Sequence, residues 1–181
     1  CVSRSLVLIS VSPAFQAWIF ALTITVEFTP RSHIPISSKM PTSARAAHAV
    51  VGEVRAALRE GMSELELSIV AEAAERRAGF QGMLRWRAAA GFECPWVHVL
   101  SGESALAFSF ADTPFGGEGV TPAAPYGASH RRIGRGVPVC LDFALARDGY
   151  IHDLTRTLSV GPLPDHLRRG HDVCVEVLDM I

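Results

Sequence analysis

The sequence has 181 residues, 49% of them hydrophobic and 19% charged, which is enough for one globular domain with a buried core and argues against a disordered chain. Its 17 Lys and Arg residues balance 18 Asp and Glu residues, so no clustered positive face of the kind that binds nucleic acid is expected. The four cysteines include no C-x-x-C pair, which argues against a zinc knuckle or a disulfide framework; they favour a reducing compartment, and we predict a cytoplasmic protein.

The N-terminal segment has an unusual composition. Residues 5–26 carry no charge and are long enough to cross a bilayer. Pro13 and Gln16 in the middle of this stretch argue against a membrane span, and the lack of a small-residue cleavage motif argues against a signal peptide. A buried pair of strands and a segment foreign to the domain are the alternatives. The proline-rich stretch 29–41 then marks a boundary, so residues 1–39 are left unassigned and membrane association is not expected.

A helix is predicted directly after this boundary. Apolar residues recur at spacings of three and four as far as Leu58, and Gly61 supplies a stop signal. The predicted helix covers 42–60. Its apolar stripe consists of Ala46, Ala47, Val50, Val51, Val54 and Leu58.

A second helix is predicted over 63–78. Ser63 and Glu66 form an S-x-x-E capping box, in which each side chain bonds the backbone N–H of the other residue. The apolar face of this helix is predicted to consist of Leu65, Ile69 and Ala73. Both helices are interpreted as scaffold.

The remaining elements alternate strands, a loop and a helix. The stretch "PWVHVLSG" (95–102) predicts a strand that enters a turn, and the Gly- and Pro-rich stretch 110–129 predicts a long loop. Two strands are predicted at 137–146 and 150–159, and Pro164 opens a final helix over 164–181. The inward residues of that helix are predicted to be Leu167, Cys174, Val177, Leu178 and Ile181.

The two predicted strands form a hairpin, "CLDFALARDGYIHDLTRT" (140–157), that carries two aspartates on one face. A turn centred on Arg147–Asp148, or on residues 146–149, places Asp142 directly opposite Asp153; a turn at Asp148–Gly149 alone does not. We expect the directly opposed register. One face then holds Cys140, Asp142, Ala144, Ile151, Asp153 and Thr155. The apolar face holds Leu141, Phe143, Leu145, Leu154 and Leu158.

Two carboxylates with Cβ atoms on the order of 5 Å apart repel each other unless something compensates their charge. A divalent cation does so, because carboxylate oxygens are hard ligands that can be shared between metal ions. Solvent exposure of both aspartates, or neutralisation by Arg147 or Arg156, is the alternative. Arg156 points to the opposite face by the alternation of the strand, which weakens that alternative without removing it.

The stretch "GVPVCLDFALARDGYIHDLTRTLSVG" resembles the metal-binding hairpin of the pita-bread superfamily. That superfamily includes prolidase, Xaa-Pro aminopeptidase, methionine aminopeptidase and creatinase, and the chain looks most like its Xaa-Pro peptidases. The shared pattern is a strand with V-x-x-D, a step of eleven residues, and then G-Y-x-x-D-x-T-R-T. Weaker similarity extends through "REGMSELEL" (59–67) and "VLSGESA" (99–105).

The resemblance implies an α+β fold, a partial pita-bread domain in which helices 42–60, 63–78 and 164–181 cover one side of a curved antiparallel sheet. It implies that residues 42–181 are the N-terminal half of a metallopeptidase-like catalytic domain. Of five metal ligands in that family, Asp142 and Asp153 match the first two, and a histidine and two glutamates are expected beyond Ile181. Tyr150 and Thr155 would support these ligands.

The implied activity is metal-dependent hydrolysis of peptides or small amides, in which a metal-bridging hydroxide attacks the scissile carbonyl. Two ions of Mn, Co or Zn would occupy a complete site, and the full-length protein is expected to be a homodimer. The chain itself is expected to be an inactive fragment.

Peptidase members carry a histidine shortly after the segment that "VLSGESA" resembles, and none follows here before His130. His98 or His130 could replace it only if the loop folds back. The alternative is a non-peptidase or catalytically inactive member that acts on or binds a small amino-acid-like substrate.

Overall fold

The computed structural model describes residues 40–86, 92–94, 97–107 and 116–180. The apolar segment 5–26 lies outside these residues, so the interpretations of residues 1–39 stay predictions. Among the described helices, none has the length and apolarity needed to cross a membrane. The described core therefore begins with the first predicted helix.

The described chain combines helices with an antiparallel sheet, as the sequence predicts. Strands β3, β4 and β5 form a three-stranded sheet in that order, and β1 and β2 form a separate antiparallel pair. Helix α1 packs against β4 and β5, and α2 packs against α1 and β3. The bounds in chain order are α1 Met40–Ala57, α2 Glu64–Arg77, β1 Leu84–Trp86, β2 Phe92–Cys94, β3 Val97–Ser101, a 3₁₀ turn Gly102–Leu106, β4 Pro138–Arg147, β5 Tyr150–Ser159 and α3 Asp165–Asp179.

Helix α1 buries the predicted stripe but ends earlier than predicted. Its last helical hydrogen bond joins the Leu58 N–H to the Val54 carbonyl at 2.9 Å. Gly61, with φ 83°, belongs to the turn that follows rather than to the end of the helix. The fully buried members of the stripe are Ala47, Val50 and Val54.

Helix α2 has the predicted capping box but a different buried face. Ser63 Oγ accepts the Glu66 N–H at 3.1 Å, and Glu66 Oε2 accepts the Ser63 N–H at 2.6 Å. The predicted apolar face is wrong, because Ile69 is 57% exposed. The residues that α2 buries are Glu64, Leu67, Ser68, Ala71, Ala74 and Glu75. At about 100° per residue, the buried face of α2 is centred roughly 160° around the helix axis from the predicted one.

The capping box gives a direct test of this part of the fold. Replacing Ser63 with alanine is expected to lower the free energy of unfolding by about 1 kcal/mol, because the Glu66 N–H loses its acceptor at the start of the helix. Glu66→Gln, which keeps an acceptor for the Ser63 N–H, is expected to cost less. Urea unfolding of the two variants measures the difference, and equal losses would contradict the assignment of the cap.

The prediction that a third helix covers the sheet is wrong for the described residues. Val173 and Val177 of α3 are 54% and 47% exposed, although Val177 was expected to point inward. Leu167 and Cys174 are only half-buried. The apolar residues of α3 are therefore largely uncovered in the part of the chain that the structure describes, and the layer over the sheet consists of α1 and α2.

Candidate functional site

The β4–β5 hairpin has a different register from the predicted one. Its turn contains only Asp148 and Gly149, with φ 54° and 81°, the positive angles that a two-residue hairpin turn requires and that Asp-Gly tolerates. Asp142 therefore lies opposite Thr155, and Asp153 lies opposite Ala144. The prediction that Asp142 and Asp153 directly oppose each other is wrong.

The shift of two residues leaves the faces of the hairpin unchanged. The predicted apolar face is confirmed by four fully buried side chains, Leu141, Phe143, Leu145 and Leu154. Asp142 and Asp153 share the other face as diagonal neighbours, so their Cβ atoms are expected about 7 Å apart rather than 5 Å. The two carboxylates are adjacent on one surface, but each has a different partner across the hairpin.

Asp142 is held between two neighbouring strands. Its side chain is buried, and the Thr155 hydroxyl donates a hydrogen bond to Oδ1. On its other side, β3 pairs His98 with Asp142, which places His98 Nδ1 3.8 Å from Asp142 Oδ2. The sequence-based expectation that His98 reaches the site only through a folded-back loop is wrong, because strand pairing brings it there.

His98 itself is buried and contacts an aromatic side chain. Tyr126 packs against its ring edge-on, with the ring centroids 4.9 Å apart. Burial lowers the pKa of the imidazole, and the negative charge of Asp142 opposes this effect. The other candidate, His130, is exposed. Of the two histidines named from the sequence, His98 is the one that lies beside the carboxylate.

Asp153 lies in a more open position. Its side chain is exposed, yet its pKa is raised to about 6, first because neighbouring atoms displace water from the carboxylate and second because Asp142 is negatively charged. Two arginines could neutralise the two aspartates, but both form hydrogen bonds to backbone carbonyls. Arg147 donates to the Ala78 carbonyl at 3.0 Å, and Arg156 donates to the Thr155 carbonyl at 2.7 Å. The pair therefore combines like charge with partial burial.

The donor set fits part of a divalent-metal centre. Carboxylate oxygens are suitable ligands for Mn²⁺, Co²⁺ and Zn²⁺, and the repulsion that raises the Asp153 pKa is the kind that a cation relieves. Within residues 40–86, 92–94, 97–107 and 116–180, however, no group of three or more His, Cys, Asp or Glu side chains is arranged to hold a metal ion. The described residues thus supply two carboxylates and need further ligands for tight binding.

Glu64 is the buried charged group that sequence reasoning missed. Its Oε1 accepts the N–H and hydroxyl of Ser101 at 2.5 and 2.8 Å. Its Oε2 accepts the Ser104 hydroxyl at 3.1 Å and the N–H and hydroxyl of Ser129 at 2.9 and 2.7 Å. Glu64 thereby joins the start of α2 to the end of β3 and to the segment before β4. The available signal was its position at the first residue of a capped helix, within the stretch "REGMSELEL".

Residues 38–181 match the sequence model of the family described as Metallopeptidase family M24. The chain belongs to this family. The family resemblance expected from the hairpin is therefore confirmed, and so is the fold class, a partial α+β pita-bread domain. Among proteins with curated functions, none matches this sequence.

Solved structures similar to this M24 chain cover most of it. An X-Pro aminopeptidase from Thermotoga maritima aligns over 78% of the chain with 22% identity and a TM-score of 0.57. An Xaa-Pro dipeptidase from Bacillus anthracis aligns over 75% with 26% identity and a TM-score of 0.52. A prolidase from Pyrococcus furiosus aligns over 75% with 20% identity and a TM-score of 0.53. The chain spans 32% of the length of each of these three structures.

Proposed function

We propose that this M24 chain supplies the first two carboxylate ligands, Asp142 and Asp153, of a divalent-metal centre in a peptidase. The observation that carries the proposal is their placement on one face of the hairpin, where partial burial and like charge raise the Asp153 pKa. Thr155 supports the proposal by fixing one oxygen of Asp142. No described contact involves Tyr150 at this site, so its supporting role stays a prediction. Mn²⁺, Co²⁺ or Zn²⁺, two ions in a complete centre, would supply Lewis acidity at a scissile carbonyl.

The substrate proposed is a peptide of the Xaa-Pro type or a small amide. The family model and the similar Xaa-Pro peptidases support this class, while the 32% coverage makes the activity of a whole protein a proposal. The remaining ligands, a histidine and two glutamates, are proposed to follow Ile181, so the chain alone is expected to be inactive. A cytoplasmic homodimer is proposed for the full-length protein.

A second candidate is an M24 member that binds a small amino-acid-like molecule without hydrolysing peptides. No histidine occurs between Val99 and Ser129, where peptidase members are expected to carry one. His98 lies on β3, buried beside Asp142, and therefore does not take the place of a histidine in the loop. This candidate shares the carboxylate pair with the first and differs in the reaction.

The metal proposal is tested with Mn²⁺ on the 181-residue chain. Paramagnetic broadening of backbone amide NMR signals detects weak binding, which is what two carboxylates are expected to give. We expect saturable broadening at Asp142, Asp153 and their strand neighbours. Asp142→Asn and Asp153→Asn should each abolish it, because each removes a charged ligand.

In the absence of metal, Asp153→Asn should raise the free energy of unfolding slightly, by less than about 1 kcal/mol because the group is exposed.

Asp148→Asn is the matched control for this experiment. Asp148 belongs to the same hairpin, is exposed, and has a positive φ that asparagine also tolerates. This variant should bind Mn²⁺ like the unmodified chain. Broadening that follows Asp148, or that persists in the Asp142 and Asp153 variants, would contradict the proposed centre.

A further inference from the structure

Three polar side chains lie in one row across the sheet. The register pairs His98 of β3 with Asp142 of β4, and Asp142 with Thr155 of β5. Directly paired residues in an antiparallel sheet point to the same face, so the three side chains are neighbours on the surface that carries Asp142. All three are buried, with 1%, 7% and 7% of their surface exposed.

The two outer members of the row face different oxygens of the central carboxylate. The Thr155 hydroxyl donates to Oδ1, while His98 Nδ1 faces Oδ2 at 3.8 Å. Rotation of the Asp142 side chain about χ1 would break the first contact and drive Oδ2 away from the second. The carboxylate therefore has a polar neighbour on each of the two adjacent strands.

His98 also contacts an aromatic ring. The Tyr126 ring lies edge-on against the imidazole at a centroid distance of 4.9 Å. His98 also lines a cavity of about 290 Å³ between α2 and residues 120–128, together with Ser68, Glu72 and Tyr126 among others. Burying such a polar ring costs free energy that burying an aliphatic residue would not.

We infer that His98 is a positioning residue for Asp142: together with Thr155, it holds the carboxylate in the single orientation required of a metal ligand. The inference rests on the proposed function, since it assigns His98 a role at that same centre. Residues that orient a ligating carboxylate typically change metal affinity by 10- to 100-fold when they are replaced.

The first test needs no metal. Three-bond NMR couplings report the χ1 angle of Asp142, and we expect a single rotamer in the unmodified chain. His98→Leu, which keeps a side chain of similar size at this position, should convert this to an average over rotamers, as should Thr155→Val. His98→Gln, which keeps a hydrogen-bond donor, should retain the single rotamer, and exposed His130→Gln is the control that should change nothing. A single Asp142 rotamer in His98→Leu would overturn the inference.

The second test uses Mn²⁺ broadening on the same variants. His98→Leu should raise the apparent Mn²⁺ dissociation constant about tenfold, and His98→Gln should restore it. Binding that is unchanged in His98→Leu would overturn the positioning role while leaving the proposed centre intact. If the unmodified chain shows no saturable binding, the proposed centre fails, and the rotamer measurement alone decides the role of His98. Loss of dispersed signals across the sheet in both His98 variants would show a merely structural role and overturn the inference.

Discussion

Replacing Glu64 with glutamine is expected to lower the free energy of unfolding by about 3 kcal/mol. The carboxylate is fully buried and accepts five hydrogen bonds from three serines. Glutamine has one acceptor oxygen instead of two, so its amide NH₂ must face either the Ser101 N–H or the Ser129 N–H. A serine hydroxyl can rotate to accept from the amide, but a backbone N–H cannot, and one donor is left buried without an acceptor.

Two further variants separate this effect from a general loss of packing. Ser101→Ala removes one hydroxyl but keeps the Ser101 N–H bond to Glu64, so it is expected to cost only about 1 kcal/mol. Glu60→Gln changes an exposed carboxylate four residues earlier and is expected to stay within about 0.5 kcal/mol. Chemical unfolding of the three variants measures their losses in the free energy of unfolding and so ranks them. A Glu64→Gln loss no larger than that of Ser101→Ala would contradict the argument.

Glu64 also connects the stability of the fold to the candidate site. Its bonds to Ser101 hold the end of β3, three residues from His98. The register of β3 against β4 is what brings His98 beside Asp142. A buried charge at the start of a helix thus fixes the strand that completes the polar row.

The elements of this fold could be predicted because their signals are local. The capping box of Ser63 and Glu66 depends on residues three apart, and the apolar face of the hairpin follows from alternate residues of β4, Leu141, Phe143 and Leu145. The prediction of the hairpin register was wrong because the wrong turn was chosen. Asp148–Gly149 matches the commonest two-residue hairpin turn, and the expectation of opposed aspartates outweighed that signal.

The orientation of α2 could not be predicted from apolar spacing alone. Its buried stripe begins with Glu64 and ends with Glu75, so the most apolar stripe, which contains Ile69, is not the buried one. Burial of Glu64 is stabilised by donors from residues 101–129, which no local pattern reveals. The position of His98 beside Asp142 depends in the same way on pairing between strands about forty residues apart.

The other buried acid of α2 gives the protein a specific pH dependence. Glu75 is 1% exposed, and its Oε1 finds no hydrogen-bond donor among the described residues. Burial, followed by the charge of Glu72, raises its pKa from 4.5 to about 8. The folded state therefore holds a proton that the unfolded chain releases above pH 4.5. The stability contribution is complete below pH 4.5, falls as the pH rises to 8, and changes no further above that.

Glu75→Gln is expected to remove this pH dependence, because glutamine has a similar shape and does not ionise. Across the window from pH 4.5 to 8 the unmodified chain should lose on the order of 5 kcal/mol more than the variant, at about 1.4 kcal/mol for each pH unit. The variant should match the unmodified chain at pH 4 and exceed it at pH 8, as measured by urea unfolding at several pH values. Glu72→Gln, which changes the exposed neighbour, should move the midpoint of the loss to lower pH without abolishing it. Parallel stability curves for Glu75→Gln and the unmodified chain would show that Glu75 is already ionised in the folded state and that its burial is compensated in another way.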